Sequence, residues 1–483
     1  MRMAAIGMAL SPFMILELAL RVIAPQENRD VAVDPYIDLQ QQQALFELDI
    51  DANEWRIPEH RMNFFRPASF SAIKREDTKR IFVLGGSTVQ GRPFSTETAF
   101  PTWMEMRLQI LFPQVDFEVV NVGGISYASY RVSRLLNEVM AHSPDAVVLY
   151  TGHNEFLEDR EYGEILNSGP LQTLINGLAG NIRIVSWLKE FSTPATLPRS
   201  LMSQEVDARL DHAGGLEKYH RDPRWRQHVE RHFDSTFRAM VHQVRLAGIP
   251  IWVCTPACDL VNTPPFKVEL SGGLSSEETA QWQRWWKIAS DAQVPPAQRL
   301  EACNACLSID PLDAAAHYIA GRLLCDLGNV EEAREHLIAA RDLDVCPLRA
   351  TTAIEKSVVR IAGQEKIPII QTSSLFDQRD NRGNRLPDQI ADPELFVDHV
   401  HPSIRGHQIL GKAIADSMFE NELFSSHSGT QNPEVVEQRF EALAQRHLTE
   451  LNEAYYARGK QRLEGLRRWA AGRAGNSMLP DAE

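Results

Sequence analysis

The sequence predicts an α/β protein built on a parallel sheet of five strands, with helices covering both faces. Three observations predict it. Short apolar runs recur at 81–84, 117–122, 146–150, 250–254 and 367–370, each of strand length and bounded by turn-forming residues. Helical patterns at 100–111, 130–142, 226–246 and 350–362 lie between them, and strands that alternate with helices pair in parallel and are buried on both faces. The first run stops at Gly85-Gly86-Ser87-Thr88, a tight turn that presents a hydroxyl at the carboxyl end of a strand, where ligands sit in such sheets. Gly124 and Asn154 lie just past two other strand ends.

Composition sets the frame for these elements. A chain of 483 residues with 43% hydrophobic and 24% charged residues describes a globular protein with one elaborated domain or two. A net charge of −14 argues against a nucleic-acid partner, because phosphate neutralisation needs clustered Lys and Arg. Residues 1–25 approach the roughly 20 apolar residues that cross a bilayer. They are uncharged from 3 to 16, and Glu17 and Arg21 interrupt them on one helix face. Without an Ala-x-Ala site they read as an uncleaved signal-anchor, with the remaining chain in the periplasm or outside the cell; an amphipathic or buried helix is the alternative. Residues 26–77 read as a linker and edge segment with an aromatic knot at Asn63-Phe64-Phe65-Arg66-Pro67.

Two insertions interrupt the alternation. The first, 160–225, directly follows Asn154 and is expected to overhang the pocket as a lid or as structural decoration. The second, 277–345, carries Asp313-Ala314, His317-Tyr318, Gly321, Leu324, Gly328-Asn329, Glu332-Ala333, Leu337, Ala340 and Leu343-Asp344. This spacing resembles one tetratricopeptide repeat of about 34 residues. Too short to bury a core alone, it is expected to lean on the main domain or to recruit a protein partner. Residues 426–483 form a C-terminal extension in which 433–471 read as one long helix, packed on the domain or on another subunit. The Cys303-x-x-Cys306 pair lies in a helical pattern with no second ligand pair, so all six cysteines read as structural.

The chemistry begins at Ser87. A serine is a weak nucleophile until a base takes its proton, and Asp398-His399-Val400-His401-Pro402 supplies an imidazole and a carboxylate from one turn. His401 is the expected base and Asp398 the group that orients it; His399 is the competing base, and a metal site built from Asp398, His399 and His401 is the lesser alternative. An oxyanion needs donors. The Asn154 side chain in Gly152-His153-Asn154-Glu155 and the Ser87 N–H are two, and a third is expected from the turn Asn121-Val122-Gly123-Gly124-Ile125-Ser126.

Taken in order, these four blocks resemble the SGNH hydrolases, also called GDSL-like esterases and lipases. The match covers about 78–160, 245–260 and 365–420 inside a domain of 78–425. What the resemblance implies is a flavodoxin-like three-layer α/β/α sandwich and ester hydrolysis without a cofactor or metal. It assigns Ser87 as nucleophile, His401 as base, Asp398 as its partner and Asn154 as oxyanion donor. Gly86 stands where the family usually has Asp, Glu155 replaces another Asp, and Ser126 occupies a position that is normally glycine. Gly124 and Ser126 therefore both remain candidate donors. The expected substrate is an acylated glycan or lipid, with O-acetyl groups foremost. An O-acyltransferase using the same centre and a non-catalytic binding scaffold are the alternatives.

Overall fold

The computed structural model describes residues 44–160, 203, 205–376, 390–421, 423–424 and 432–474. The chain divides into two compact units, residues 1–43 with 160–205 and residues 44–159 with 206–483; every element named here belongs to the second. The anchor expected at 1–25 and most of the insertion expected at 160–225 lie outside the described residues. Among the described residues no helix is long and apolar enough to cross a membrane.

The segment expected to be an irregular edge contains a small antiparallel sheet. Its strands are β1 (Glu47–Asp49), β2 (Glu54–Arg56) and β3 (Ser69–Ser71), with Leu48 opposite Trp55 and Trp55 opposite Phe70. Phe70 meets Phe82 edge-on at 5.3 Å, which fastens this sheet to the main one.

The main sheet comprises β4 (Thr78–Gly85), β5 (Asp116–Gly123), β6 (Ala146–Tyr150), β7 (Ile251–Cys254) and β8 (Ile369–Ile370). All neighbours pair in parallel, in the order β5-β4-β6-β7-β8. In chain order this is 2-1-3-4-5, the flavodoxin-like arrangement, with its crevice at the carboxyl ends where the winding reverses. Alternation along β4 divides the core between two faces. Ile81 and Val83 join Val148, Trp252, Phe100, Met104, Leu410 and Ile414 in one cluster, and Phe82 and Leu84 point to the other face.

The helices complete the layers. The turn after β4 winds into the short α1 (Ser87–Gln90), followed by α2 (Phe100–Leu111) and α3 (Ser129–Val139). Next comes α4 (Pro223–Leu246), started by Asp222, whose side chain accepts from the Arg224 and Trp225 N–H groups. The second insertion is four helices, α5 (Ser276–Ser290), α6 (Pro296–Ile309), α7 (Ala314–Asp326) and α8 (Val330–Asp342). Then follow α9 (Thr352–Glu365), α10 (Thr372–Leu375) and α11 (Ile404–Glu420). Helices α2 and α11 pack on the first face, and α3, α4 and α9 on the second.

The four-helix insertion leans on the sheet domain. Leu324, Ala333, Leu337 and Ala340 pack with Cys258, Leu260 and Val400, and the Tyr318 hydroxyl donates to the Val261 carbonyl at 2.8 Å. Cys303 and Cys306 are buried inside it, and burial pushes both thiols up to about 12. Among the described residues no group of three or more His, Cys, Asp or Glu is placed to hold a metal ion.

The tail is not one helix but two, α12 (Pro433–Glu450) and α13 (Glu453–Ala474). Leu451 is extended, and Asn452 caps the second helix by accepting from the Tyr455 N–H at 2.9 Å. Both helices pack on the domain itself, Phe440 and Ala444 against Trp103 and Tyr455 against Phe94.

Candidate active site

Four loops at the carboxyl ends of the strands bring the site together. Ser87 is the first residue of α1, is 7% exposed, and lies beyond β4, the strand paired to both β5 and β6. Asn121 ties the second loop to the first: its amide donates to the Val89 carbonyl at 2.8 Å and its Oδ1 accepts from the Gly123 N–H at 3.0 Å. The fourth loop is closed by an antiparallel bridge between Phe396 and Pro402, and Ser403 then caps α11 by accepting from the Gly406 N–H.

Across this gap His401 Nε2 stands 2.7 Å from Ser87 Oγ, while its Nδ1 is 2.7 Å from Asp398 Oδ2 and 2.9 Å from Oδ1. An ionised carboxylate only accepts, so Nδ1 carries the proton and Nε2 is left to accept from the Ser87 hydroxyl. Asp398 Oδ1 also accepts from the Val400 and His401 N–H groups at 3.0 and 2.9 Å. Burial alone would raise this carboxyl. The charges of His401 and His399 and the His401 hydrogen bonds outweigh it and hold Asp398 well below the usual carboxylate range.

His399, the competing base, stands aside. Its Nδ1 is 3.6 Å from Asp398 Oδ1 and its ring lies edge-on to Phe266 at 5.2 Å. Burial pushes it down to about 4.

The third loop places the oxyanion candidates. One amide hydrogen of Asn154 donates to the Tyr127 carbonyl at 3.0 Å, and the other has no partner among the described residues. Gly86 has a steric reason to lack a side chain, since a Cβ there would lie 2.6 Å from Asn154 Nδ2. Glu155 is fully buried and accepts from the Ser129 N–H at 2.7 Å and the Ser129 hydroxyl at 2.9 Å, so the longer carboxylate reaches across to hold the start of α3. Of the two second-loop candidates, Gly124 has already spent its N–H on the Gly85 carbonyl at 3.1 Å. Ser126 sits at φ +61°, and its N–H makes no hydrogen bond among the described residues. The N–H of Ser87, at the first position of its helix, is likewise open.

Sequence reasoning missed His153, which is buried with both ring nitrogens lacking a hydrogen-bond partner; burial pushes it down to about 3. His407 is also pushed down to about 3 by burial, with its Nδ1 accepting from the Phe100 N–H at 3.2 Å. Both are neutral in the fold, whereas an unfolded histidine takes up a proton below pH 6.5. Between about 6.5 and 3 the unfolded chain binds more protons, so stability falls as pH falls through that window. The thermal midpoint is expected to drop between pH 6.5 and 4, and less steeply in His407→Gln, whose amide oxygen can still accept from Phe100. Equal slopes would exclude His407 as a source of acid sensitivity.

No family model and no curated protein matches the chain. Among solved structures it is similar to a putative lipolytic protein of the G-D-S-L family from Desulfitobacterium hafniense, at 12% identity over 70% of this chain and 98% of that one, with a TM-score of 0.27. It is also similar to a lipase/acylhydrolase from Enterococcus faecalis, at 11% identity over 71% and 96%, with a TM-score of 0.31. An acetylxylan esterase from Geobacillus stearothermophilus shows 14% identity over 73% and 97%, with a TM-score of 0.30. At these values the chemistry of the site rests on its own geometry.

Proposed function

We propose that the protein is a serine esterase of the SGNH type that hydrolyses acyl esters through an acyl-Ser87 intermediate. The single observation that carries this reading is the unbroken hydrogen-bonded line from Ser87 Oγ through His401 to Asp398. As Oγ attacks the ester carbonyl, His401 Nε2 takes its proton and Asp398 stabilises the imidazolium. The new C–O bond puts negative charge on the carbonyl oxygen, and in this reading the Ser87 N–H, the Ser126 N–H and the second Asn154 amide hydrogen donate to it. His401 then returns the proton to the departing alcohol oxygen as its bond to carbon breaks. A water repeats the sequence on the acyl-serine, releasing the acid and restoring Ser87.

Gly86→Ala tests the oxyanion role of Asn154 without touching it. The added methyl is expected to displace the amide and lower kcat/KM for 4-nitrophenyl acetate by about 10- to 100-fold. Unchanged kcat/KM would remove Asn154 from the oxyanion site.

We extend the reading to O-acetyl groups on envelope or extracellular glycans, reached by a chain tethered through residues 1–25. The uncharged run from 3 to 16 supports the tether. The helices α5–α8 support a tetratricopeptide-like unit that braces the Asp398 loop through Val400. Wild-type protein assayed against esters of graded acyl length, beside acetylated polysaccharides and with a fluorophosphonate probe, tests the whole reading. Neither hydrolysis nor labelling would sink it.

A further inference from the structure

Directly after the nucleophile's turn the chain carries an arginine, Arg92. The Arg92 N–H donates to the Ser87 carbonyl at 3.1 Å, so this side chain springs from the same turn as the serine. Its guanidinium is half-buried and makes no hydrogen bond or ion pair among the described residues. Two more arginines are anchored on the segments around it. Arg462 reaches over from α13, donating through Nη1 to the carbonyls of Phe94 at 2.5 Å and Pro93 at 3.4 Å. Helix α13 is fixed there by contact: a Cβ on Gly459 would lie 2.1 Å from Phe94, and Tyr455 shares a 2.7 Å hydrogen bond with Thr98.

Arg66 approaches through the aromatic knot. The Phe64 carbonyl accepts from Gln90 and from the Ile125 N–H, each at 2.8 Å, which sets Arg66 against the first and second loops. Arg66 Nη1 donates to the Phe65 carbonyl at 3.3 Å, and its Nε is buried with no hydrogen-bond partner. The three charges feel one another. Burial, then Arg462 and Arg92, hold Arg66 below its ordinary value; burial and Arg462 do the same to Arg92, against the opposing pull of Asp398 and Asp211.

Gathering like charges in a half-buried place costs free energy unless a counter-charge joins them. Asp398 is engaged by His401, and neither Asp211 nor Glu97 forms an ion pair with any of the three arginines. Nor is the cluster a by-product of composition, since the chain carries a net −14. Guanidinium forks match the paired oxygens of a carboxylate or phosphate.

We propose that Arg66, Arg92 and Arg462 form an anion subsite that seats a carboxylate or phosphate of the substrate beside the ester attacked by Ser87. The substrate is then an acylated sugar acid or an acylated phosphorylated alcohol. This rests on the hydrolytic reading of Ser87, and the test separates the two.

Calorimetric titration of the full chain at low ionic strength, with D-glucuronate and separately with inorganic phosphate, measures the subsite without hydrolysis. Saturable binding is expected for at least one probe, weakened about tenfold or more in Arg92→Gln and in Arg462→Gln. It should be intermediate in Arg92→Lys, which keeps the charge and loses the fork, and unchanged in Arg231→Gln on α4. Glucuronate alone marks a sugar acid, and phosphate alone a phosphorylated alcohol. Binding of neither, or binding indifferent to both Arg92→Gln and Arg462→Gln, overturns the proposal. In parallel, the kcat/KM ratio of 4-acetoxybenzoate to phenyl acetate should exceed one and fall in Arg92→Gln; the same ratio in both proteins overturns the substrate role. Hydrolysis of neither ester, with Arg92-dependent probe binding intact, would sink the esterase reading and leave the anion subsite standing.

Discussion

Ser87→Ala is expected to abolish ester hydrolysis, with kcat for 4-nitrophenyl acetate falling by at least about 10⁴-fold and fluorophosphonate labelling disappearing. The size follows from the unit in which Ser87 acts. His401 is aimed at one oxygen only, 2.7 Å from its Nε2, and its other nitrogen is committed to Asp398, so without that oxygen it has nothing to activate for attack. The oxyanion donors remain and supply whatever rate is left. The fold should be untouched, because Ser87 contributes to α1 through its backbone: its carbonyl accepts from the Gly91 and Arg92 N–H groups. A variant that kept substantial activity and labelling would move the nucleophile elsewhere.

The largest effect on stability is expected from Glu158→Gln. Glu158 is 1% exposed and its carboxylate accepts from Arg131 Nε and Nη2, both at 2.6 Å, from the Tyr130 hydroxyl at 2.5 Å and from the Asp207 N–H at 3.0 Å. Burial opposes the Arg131 charge, yet the hydrogen bonds and charge of Glu158 more than restore it and hold Arg131 above its ordinary value. Removing the carboxylate charge leaves a fully buried guanidinium poorly compensated, a loss of about 3–5 kcal/mol. Urea unfolding measures it, and a loss below about 1 kcal/mol would contradict the assignment. The paired change Arg131→Met with Glu158→Leu should cost less than Glu158→Gln alone, since neither charge is then stranded. Glu158 follows Asn154 by four residues and Arg131 stands in the first turn of α3, so the pair also ties together the loops that carry Asn154 and Ser126.

The parallel sheet was legible because its strands are buried on both faces and so read as continuous apolar runs: the run expected at 146–150 matches β6, and 117–122 lies within β5. The small antiparallel sheet was not, because each of its strands has three residues with a single large apolar one at the centre, Leu48, Trp55 or Phe70. The break in the tail was written in Asn452, a capping residue whose signal is hidden by helical periodicity on both sides. At the site, Ser87, Asn154, Asp398 and His401 could be named from local motifs, and the structure brings them together. Gly124 and Ser126 differ in whether the backbone N–H is already bonded, which no side-chain pattern encodes. Arg92 and Arg462 were invisible as a pair for a different reason: they lie far apart in the chain, and only the fold of α13 onto the loop at Phe94 brings Arg462 to the residues that follow Arg92.

The line from Ser87 to His401 joins residues 314 positions apart. A ribosome therefore delivers the nucleophile first, with β5 and β6 soon after to pair with its strand, and the imidazole follows only 314 residues later. Throughout that interval the serine is an ordinary alcohol, and the growing polypeptide is chemically silent toward whatever esters surround it. Reactivity waits for the second partner, not the first.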